Sequence, residues 1–169
     1  MPGSLHTWYS LSCLDMLAQR QAVLSGQIEL RRLARLRDML HADGGSVTAN
    51  LRFRKCLGAW LIMELECEAT LELLCQRCLE PMLHVVAARV DMALVEAASM
   101  ASSLPRGYEP VVLDGERLMP ARLIEDELIV SLPILPRHAR PDECGSLVRL
   151  HDATVNEAWT LDCAPPTSH

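Results

Sequence analysis

Cys75-Gln76-Arg77-Cys78-Leu79-Glu80-Pro81 sets two thiols three residues apart at the end of an apolar run. A two-residue gap lets both thiolates reach one metal ion from a single turn, and a structural zinc site is completed by two further soft ligands. Those ligands would come from Cys144 and His138, which follow Leu132-Pro133-Ile134-Leu135-Pro136-Arg137. Cys75, Cys78, Cys144 and His138 are therefore the candidate zinc ligands. The same pair could instead carry dithiol chemistry, which in thioredoxin-like enzymes sits at a helix N-terminus that lowers the thiol pKa. Here the pair closes a strand and runs on into Leu79-Glu80-Pro81-Met82, with Arg77 the nearby cation. That context argues against an oxidoreductase and leaves a redox sensor, or reduced thiols without a ligand, beside the zinc reading.

Other chemistry is hard to find. Glu125, Asp126 and Glu127 are adjacent on a segment with helical spacing, so their side chains diverge by about 100° each and do not converge as an acid/base pair. The six histidines show no paired spacing on one helix, no Ser/His/Asp set stands out, and no glycine loop suits a phosphate. The expected protein is not an enzyme. The acidic trio reads as a solvated or partner-facing edge, and Ile124, Leu128 and Leu132 as the face turned to the core.

Taken together, the Cys-Gln-Arg-Cys-Leu-Glu-Pro string, the Leu123-Ile124-Glu125-Asp126-Glu127-Leu128 segment and the Leu-Pro-x-x-Pro-x-His stretch resemble the YceD family of bacterial proteins, a domain of unknown function also called DUF177. The resemblance covers roughly Ser12 to Gly145, with Leu104-Pro105-Arg106-Gly107-Tyr108-Glu109-Pro110 as a third island. It implies a role in accumulation of large-subunit ribosomal RNA and in assembly of the large ribosomal subunit, without known catalytic chemistry. Some members look richer in cysteine after the Leu-Pro-x-x-Pro stretch, which implies a four-cysteine site in them; here Cys144 alone matches, and His138 would be the fourth ligand. The implied working surface is the turn of Gln76, Arg77, Leu79, Glu80 and Pro81, with Arg77 at its tip, backed by Glu125, Asp126 and Glu127. The alternative is a zinc-stabilised or thiol redox-sensing interaction module without a ribosomal role.

Charge bears on how such a role would be served. The chain of 169 residues has a formal net charge of -6, unevenly spread: residues 1–60 hold eight basic and four acidic side chains, and the rest eight basic and eighteen acidic. Nucleic-acid affinity comes mainly from cations neutralising phosphates, so the acidic part is a poor surface for rRNA and favours basic partners such as ribosomal proteins. Direct RNA contact would fall to Arg31, Arg32, Arg35, Arg37, Arg52, Arg54 and Lys55. Those residues read equally as solvated faces of a helix and a strand. No run approaches the roughly 18 apolar residues of a membrane-spanning helix, and no basic-then-apolar leader precedes Arg20. A cytoplasmic protein is expected. Seven scattered cysteines are not a secreted disulfide framework, and Cys67 falls in the apolar register of a strand, where a thiol acts as a small hydrophobe.

The elements that must position the thiols follow from periodicity. Ile28, Leu33, Leu36 and Leu40 recur at helical intervals, giving an amphipathic helix from Gly26 to His41, ended by Asp43-Gly44-Gly45-Ser46. Val47, Ala49, Leu51 and Phe53 alternate with polar residues as a strand. Leu57-Gly58-Ala59 reads as a turn. Leu61 to Leu73 then hold a period of two against Glu64, Glu66, Glu68, Thr70 and Glu72, as far as Cys75. A turn over Cys78 to Pro81 leads to a return strand through Val86, Ala88, Val90, Met92 and Leu94, with Arg52 and Arg54 placed to pair across the sheet with the glutamates. Residues 96–107 read as a loop, Tyr108 to Leu113 as a short strand, and Pro120 as the first turn of a helix ended by Pro133. The expected fold is α+β: an antiparallel β-meander or partly closed barrel with a helix before it and one after. One domain spans 1–145, and 146–169 form a weakly structured tail, with Trp159 as its one candidate for docking.

Overall fold

The computed structural model describes residues 4–56 and 60–145. The strict alternation from Leu61 onward makes the longest ladder among the described residues. β4, Leu61–Leu74, pairs antiparallel with β3, Ser46–Lys55, on one side and with β5, Pro81–Val95, on the other. Alternation with period two puts Val47, Ala49, Leu51 and Phe53 of β3 and Met63, Leu65, Cys67, Leu71 and Leu73 of β4 on one buried face. Directly opposed residues share a face of an antiparallel pair. The other face therefore carries Thr48, Asn50, Arg52 and Arg54, then Glu64, Glu66, Glu68, Thr70 and Glu72, then Leu83, Val85, Ala87, Arg89 and Asp91.

Two helices cover the buried face. α1, Leu11–Gln19, begins at Ser10, whose hydroxyl accepts from the Cys13 N–H, and buries Leu14 and Ala18 against the sheet. α3, Pro120–Val130, starts with Pro at its first turn, where a missing N–H costs nothing, and buries Ala121, Ile124 and Leu128. A two-stranded ribbon of β1, Tyr9–Ser10, and β7, Arg117–Leu118, ties the starts of the two helices together.

The segment expected as one helix from Gly26 to His41 is something else. Val23–Glu29 form β2, antiparallel to β3, followed by a 3-10 turn over Leu30–Arg32 and a four-residue helix α2, Ala34–Arg37. Ile28, Leu33 and Leu36 are all buried as their spacing suggested, but Leu24 and Ile28 reach the core from a strand. Gly26 lies opposite Ala49 under Leu5, whose Cδ1 would stand 3.2 Å from any added Cβ, so this strand position favours a residue without one.

The sheet is open, in the order β2-β3-β4-β5 and then a last strand β6, Glu109–Val112, and does not close as a barrel. β6 runs parallel to β5, because residues 96–108, including a 3-10 turn over Ala98–Ser103, carry the chain back along the sheet. The turn after β4 comes earlier than expected, over residues 76–79, and Pro81 already belongs to β5. Arg52 faces Glu64 in register, yet it is Arg89 of β5 that pairs with Glu64 and with Glu66, the latter at 3.1 Å. The expected turn at Leu57-Gly58-Ala59 and the tail 146–169 lie outside the described residues.

Candidate metal centre

β4 and β5 form a long hairpin arm, and its tip is where the thiols meet. The Cys75 N–H donates to the Glu80 carbonyl at 3.0 Å and the Leu79 N–H to the Cys75 carbonyl at 2.8 Å, closing a tight knuckle. Leu79 adopts φ +59°, a left-handed conformation that costs an L-residue roughly 1–2 kcal/mol. After α3, the Pro-rich stretch brings the chain back to this tip. The Gln76 N–H donates to the Pro136 carbonyl at 2.8 Å, and the His138 N–H to Cys75 Sγ at 3.4 Å. A 3-10 turn over Pro141–Glu143 then delivers Cys144. The Glu80 carboxylate lies so close to Gly145 that a side chain there would have to push it aside.

Cys75, Cys78, His138 and Cys144 thus converge, with one ligand atom from each lying within 4.8 Å of all the others. The three thiols form a small buried cluster of their own, with Met82 packed against it, apart from the main core. His138 Nδ1 is 3.4 Å from Cys78 Sγ and 3.6 Å from Cys144 Sγ. A tetrahedral ion with sulfur at about 2.3 Å and nitrogen at about 2.0 Å has S···N edges of about 3.5 Å, so these spacings are those of a Cys3His shell. Burial, the largest single effect, pushes the Cys75 thiol up. The N–H groups of His138, Arg77 and Cys78, with the Cys78 thiol, outweigh it and hold Cys75 at about 5. Burial first, then the Cys78 and Cys75 thiols, raise Cys144 to about 11. A thiolate already stabilised at Cys75 is what a metal ligand requires, since ligation demands deprotonated sulfur. The four residues could hold a metal ion.

Arg77 was expected at the tip, free for a partner. Instead it reaches under the returning segment, where Nη2 donates to the His138 carbonyl at 2.8 Å, and the side chain is half-buried. A group that fixes the backbone of a histidine also fixes where its ring can reach, so Arg77 would orient His138 toward the thiols if the four residues held a metal. Gln76, Leu79, Glu80 and Pro81 are exposed around it.

The acidic trio also divides. Glu125 is buried, 7% exposed, and is not part of a partner-facing edge. Its carboxylate accepts from the N–H groups of Arg35 and Leu36, at 2.8 and 3.2 Å, and from the Arg35 guanidinium at 3.0 and 3.1 Å. It serves as the missing N-terminal cap of α2, a helix whose flanking residue supplies none. Its place could have been read from the stripe Ala121, Ile124, Glu125, Leu128, which is one buried helix face. Asp126 lies outward on Arg35 at 2.6 Å, and Glu127 is half-buried on the side of Cys67, its carboxyl raised by burial and by Glu109.

The basic residues do not gather on one face. Arg31 is held by Glu29, Arg35 by Glu125 and Asp126, Lys55 by Asp15 at 2.6 Å, and Arg54 by Tyr108 at 3.2 Å and, at 3.9 Å, Asp91. Arg37 lies 3.5 Å from Asp38. Arg32 and Arg52 are exposed, the first beside α2 and the second on the outer face of the sheet. Six cysteines among the described residues are free thiols. No helix among the described residues is long and apolar enough to cross a membrane.

Comparison with known proteins places this arrangement. A family model described as "Large ribosomal RNA subunit accumulation protein YceD" matches residues 63–165, more than half of the chain, from β4 through the whole cysteine cluster. The protein of Haemophilus influenzae (strain ATCC 51907 / DSM 11121 / KW20 / Rd) that bears the same description is 28% identical over 124 residues, which are 72% of this chain and 71% of that one. No solved structure matches.

Proposed function

This chain belongs to the YceD family, and from that premise we propose that it supports accumulation of large-subunit rRNA and assembly of the large ribosomal subunit, as a non-enzymatic cytoplasmic factor. The observation that carries the reading is the family match, which spans the strand, knuckle and returning segment that build the cysteine cluster. Its partners would be basic ribosomal proteins or the precursor of the large subunit, met through protein contacts. rRNA would be touched indirectly or through the N-terminal basic segment, at Arg32 and Arg52 in particular.

Zinc fits Cys75, Cys78, His138 and Cys144 best, because thiolate-rich tetrahedral sites select it and a closed set of four protein ligands is structural. Its contribution would be to lock the returning segment onto the hairpin tip, so that the tip is presented as a rigid surface. Leu79 supports a binding role for that surface. It is 70% exposed on left-handed backbone, where glycine would be free of strain, so the side chain is held at a cost the fold itself does not require.

The test is sedimentation of the tagged chain with large-subunit precursors on a sucrose gradient. Co-sedimentation is expected, and Leu79→Gly should leave thermal stability unchanged or slightly raised while weakening co-sedimentation. A chain that stays at the top of the gradient, or a Leu79→Gly chain that co-sediments normally, would count against the reading.

A further inference from the structure

β5 is paired with β4 from Pro81 to Leu94 along one side. On its other side β6 pairs Met92–Val95, and among the described residues no strand pairs residues 81–91 there. The Cys75 to Glu80 hydrogen bond fixes which backbone groups face that opening. In an antiparallel ladder, residues bonded to the neighbour alternate with residues whose N–H and C=O point away, so Leu83, Val85, Ala87 and Arg89 point outward. The parity agrees at the far end, where the Val95 carbonyl accepts from the Leu113 N–H at 2.9 Å, on the β6 side. Soluble proteins usually blunt a long open edge with lysines, bulges or a covering element. Here Pro81 blunts only its start, and Leu83 and Val85 are 70% and 71% exposed.

Charge says what kind of strand would fit. On the same face, Glu72 lies opposite Leu83 and Glu68 opposite Ala87. Ala87 is small, so the way from the open edge to Glu68 is not blocked. Glu66, Glu68, Ala87 and Arg89, with Thr48 and Asn50, line a hollow of about 340 Å³. Arg89, the cation there, is engaged with Glu64 and Glu66 and not with Glu68.

We propose that the open edge of β5 takes an extended, basic segment of a partner protein as an added strand, with aliphatic side chains beside Leu83 and Val85 and a lysine or arginine reaching over Ala87 to Glu68. It names a surface for the protein contacts argued above and rests on that reading. Backbone pairing supplies affinity, and the alternation of aliphatic and cationic residues supplies selectivity.

The experiment uses the full-length chain and a fluorescein-labelled decapeptide of alternating valine and lysine, read by anisotropy and by amide hydrogen exchange. Saturable binding is expected, with slowed exchange at Leu83, Val85 and Ala87, and no binding of the valine–glutamate counterpart. Val85→Pro removes an outward N–H at an edge position where proline is tolerated. Val85→Pro and Glu68→Lys should each weaken binding at least tenfold with an unchanged circular dichroism spectrum. Absence of binding, binding that neither variant alters, or protection elsewhere overturns the proposal. So does slow exchange of those amides in the free chain, or a dimer abolished by Val85→Pro, because the edge is then already occupied by this chain or by a second copy. No ribosome enters the assay, so its failure leaves the rRNA role standing, and loss of the rRNA role leaves the peptide result intact.

Discussion

Removing the metal from the cysteine cluster should free the returning segment and leave the sheet folded. The thirteen residues 133–145 cost roughly 13 kcal/mol to order at about 1 kcal/mol each. Apart from a metal and the thiol and imidazole contacts of its four ligands, which ligation would replace, the bonds that dock them on the hairpin tip are those from Gln76 to Pro136, from His138 to Cys75 and from Arg77 to His138. At about 1 kcal/mol apiece these return about 3 kcal/mol, and burial of Cys144 adds about 1–2 kcal/mol. A structural zinc, at about 10 kcal/mol or more, would close the balance. Arg137 is exposed in the middle of this segment and is a trypsin site. Cleavage after Arg137 tracks the population of the open form, so chelation or Cys144→Ser should speed it at least about 100-fold. The far-UV circular dichroism of the sheet should change little, since its core cluster is separate from the thiols. The protein as purified should carry one zinc per chain by elemental analysis. Cleavage after Arg137 that is equally slow with and without chelator would refute the reasoning, as would a chain free of bound metal with a protease-resistant segment.

Two further outcomes follow from the packing. Glu125→Ala strips two backbone N–H groups and a guanidinium of their acceptor, which should cost about 3–4 kcal/mol and lower Tm by about 6–16 °C; Asp126→Ala, at an exposed pair, should cost under about 1 kcal/mol. Burial, then the Glu127 charge, pushes the Cys67 thiol up from 9.0 to about 11. An acid with a raised folded pKa binds its proton more tightly when folded, so the stability it contributes is intact below pH 9 and is lost as pH rises toward 11. That loss is about 2–3 kcal/mol, and Cys67→Ala should flatten the fall of unfolding free energy with pH between 8 and 11 by that much.

What could be read from residues alone depended on how one-sided each element's burial is. β3 and β4 bury one face and wet the other, so alternation alone located them and oriented Cys67 and the glutamates. Gly26 to His41 misled because Ile28, Leu33 and Leu36 satisfy helical spacing while reaching the core from a strand, from the junction after a 3-10 turn and from a single helical turn in succession. The parallel pairing of β6 left no local mark, since it depends on the path of residues 96–108. The meeting of Cys75, Cys78, His138 and Cys144 was legible because thiols and imidazole are scarce and their spacing is chemically restrictive. Arg77 and Glu125 were misplaced for one reason: their partners, the His138 carbonyl and the N–H groups of Arg35 and Leu36, are backbone atoms sixty to ninety residues away, and a backbone atom looks the same in every sequence.

The ratio of large- to small-subunit rRNA, measured with a sucrose-gradient ribosome profile in cells lacking this chain, tests the central claim most directly. A selective fall in large-subunit rRNA that the intact chain restores, and that a chain with Cys75 and Cys78 replaced by serine does not, is the expected result. An unchanged ratio and a normal profile would contradict it.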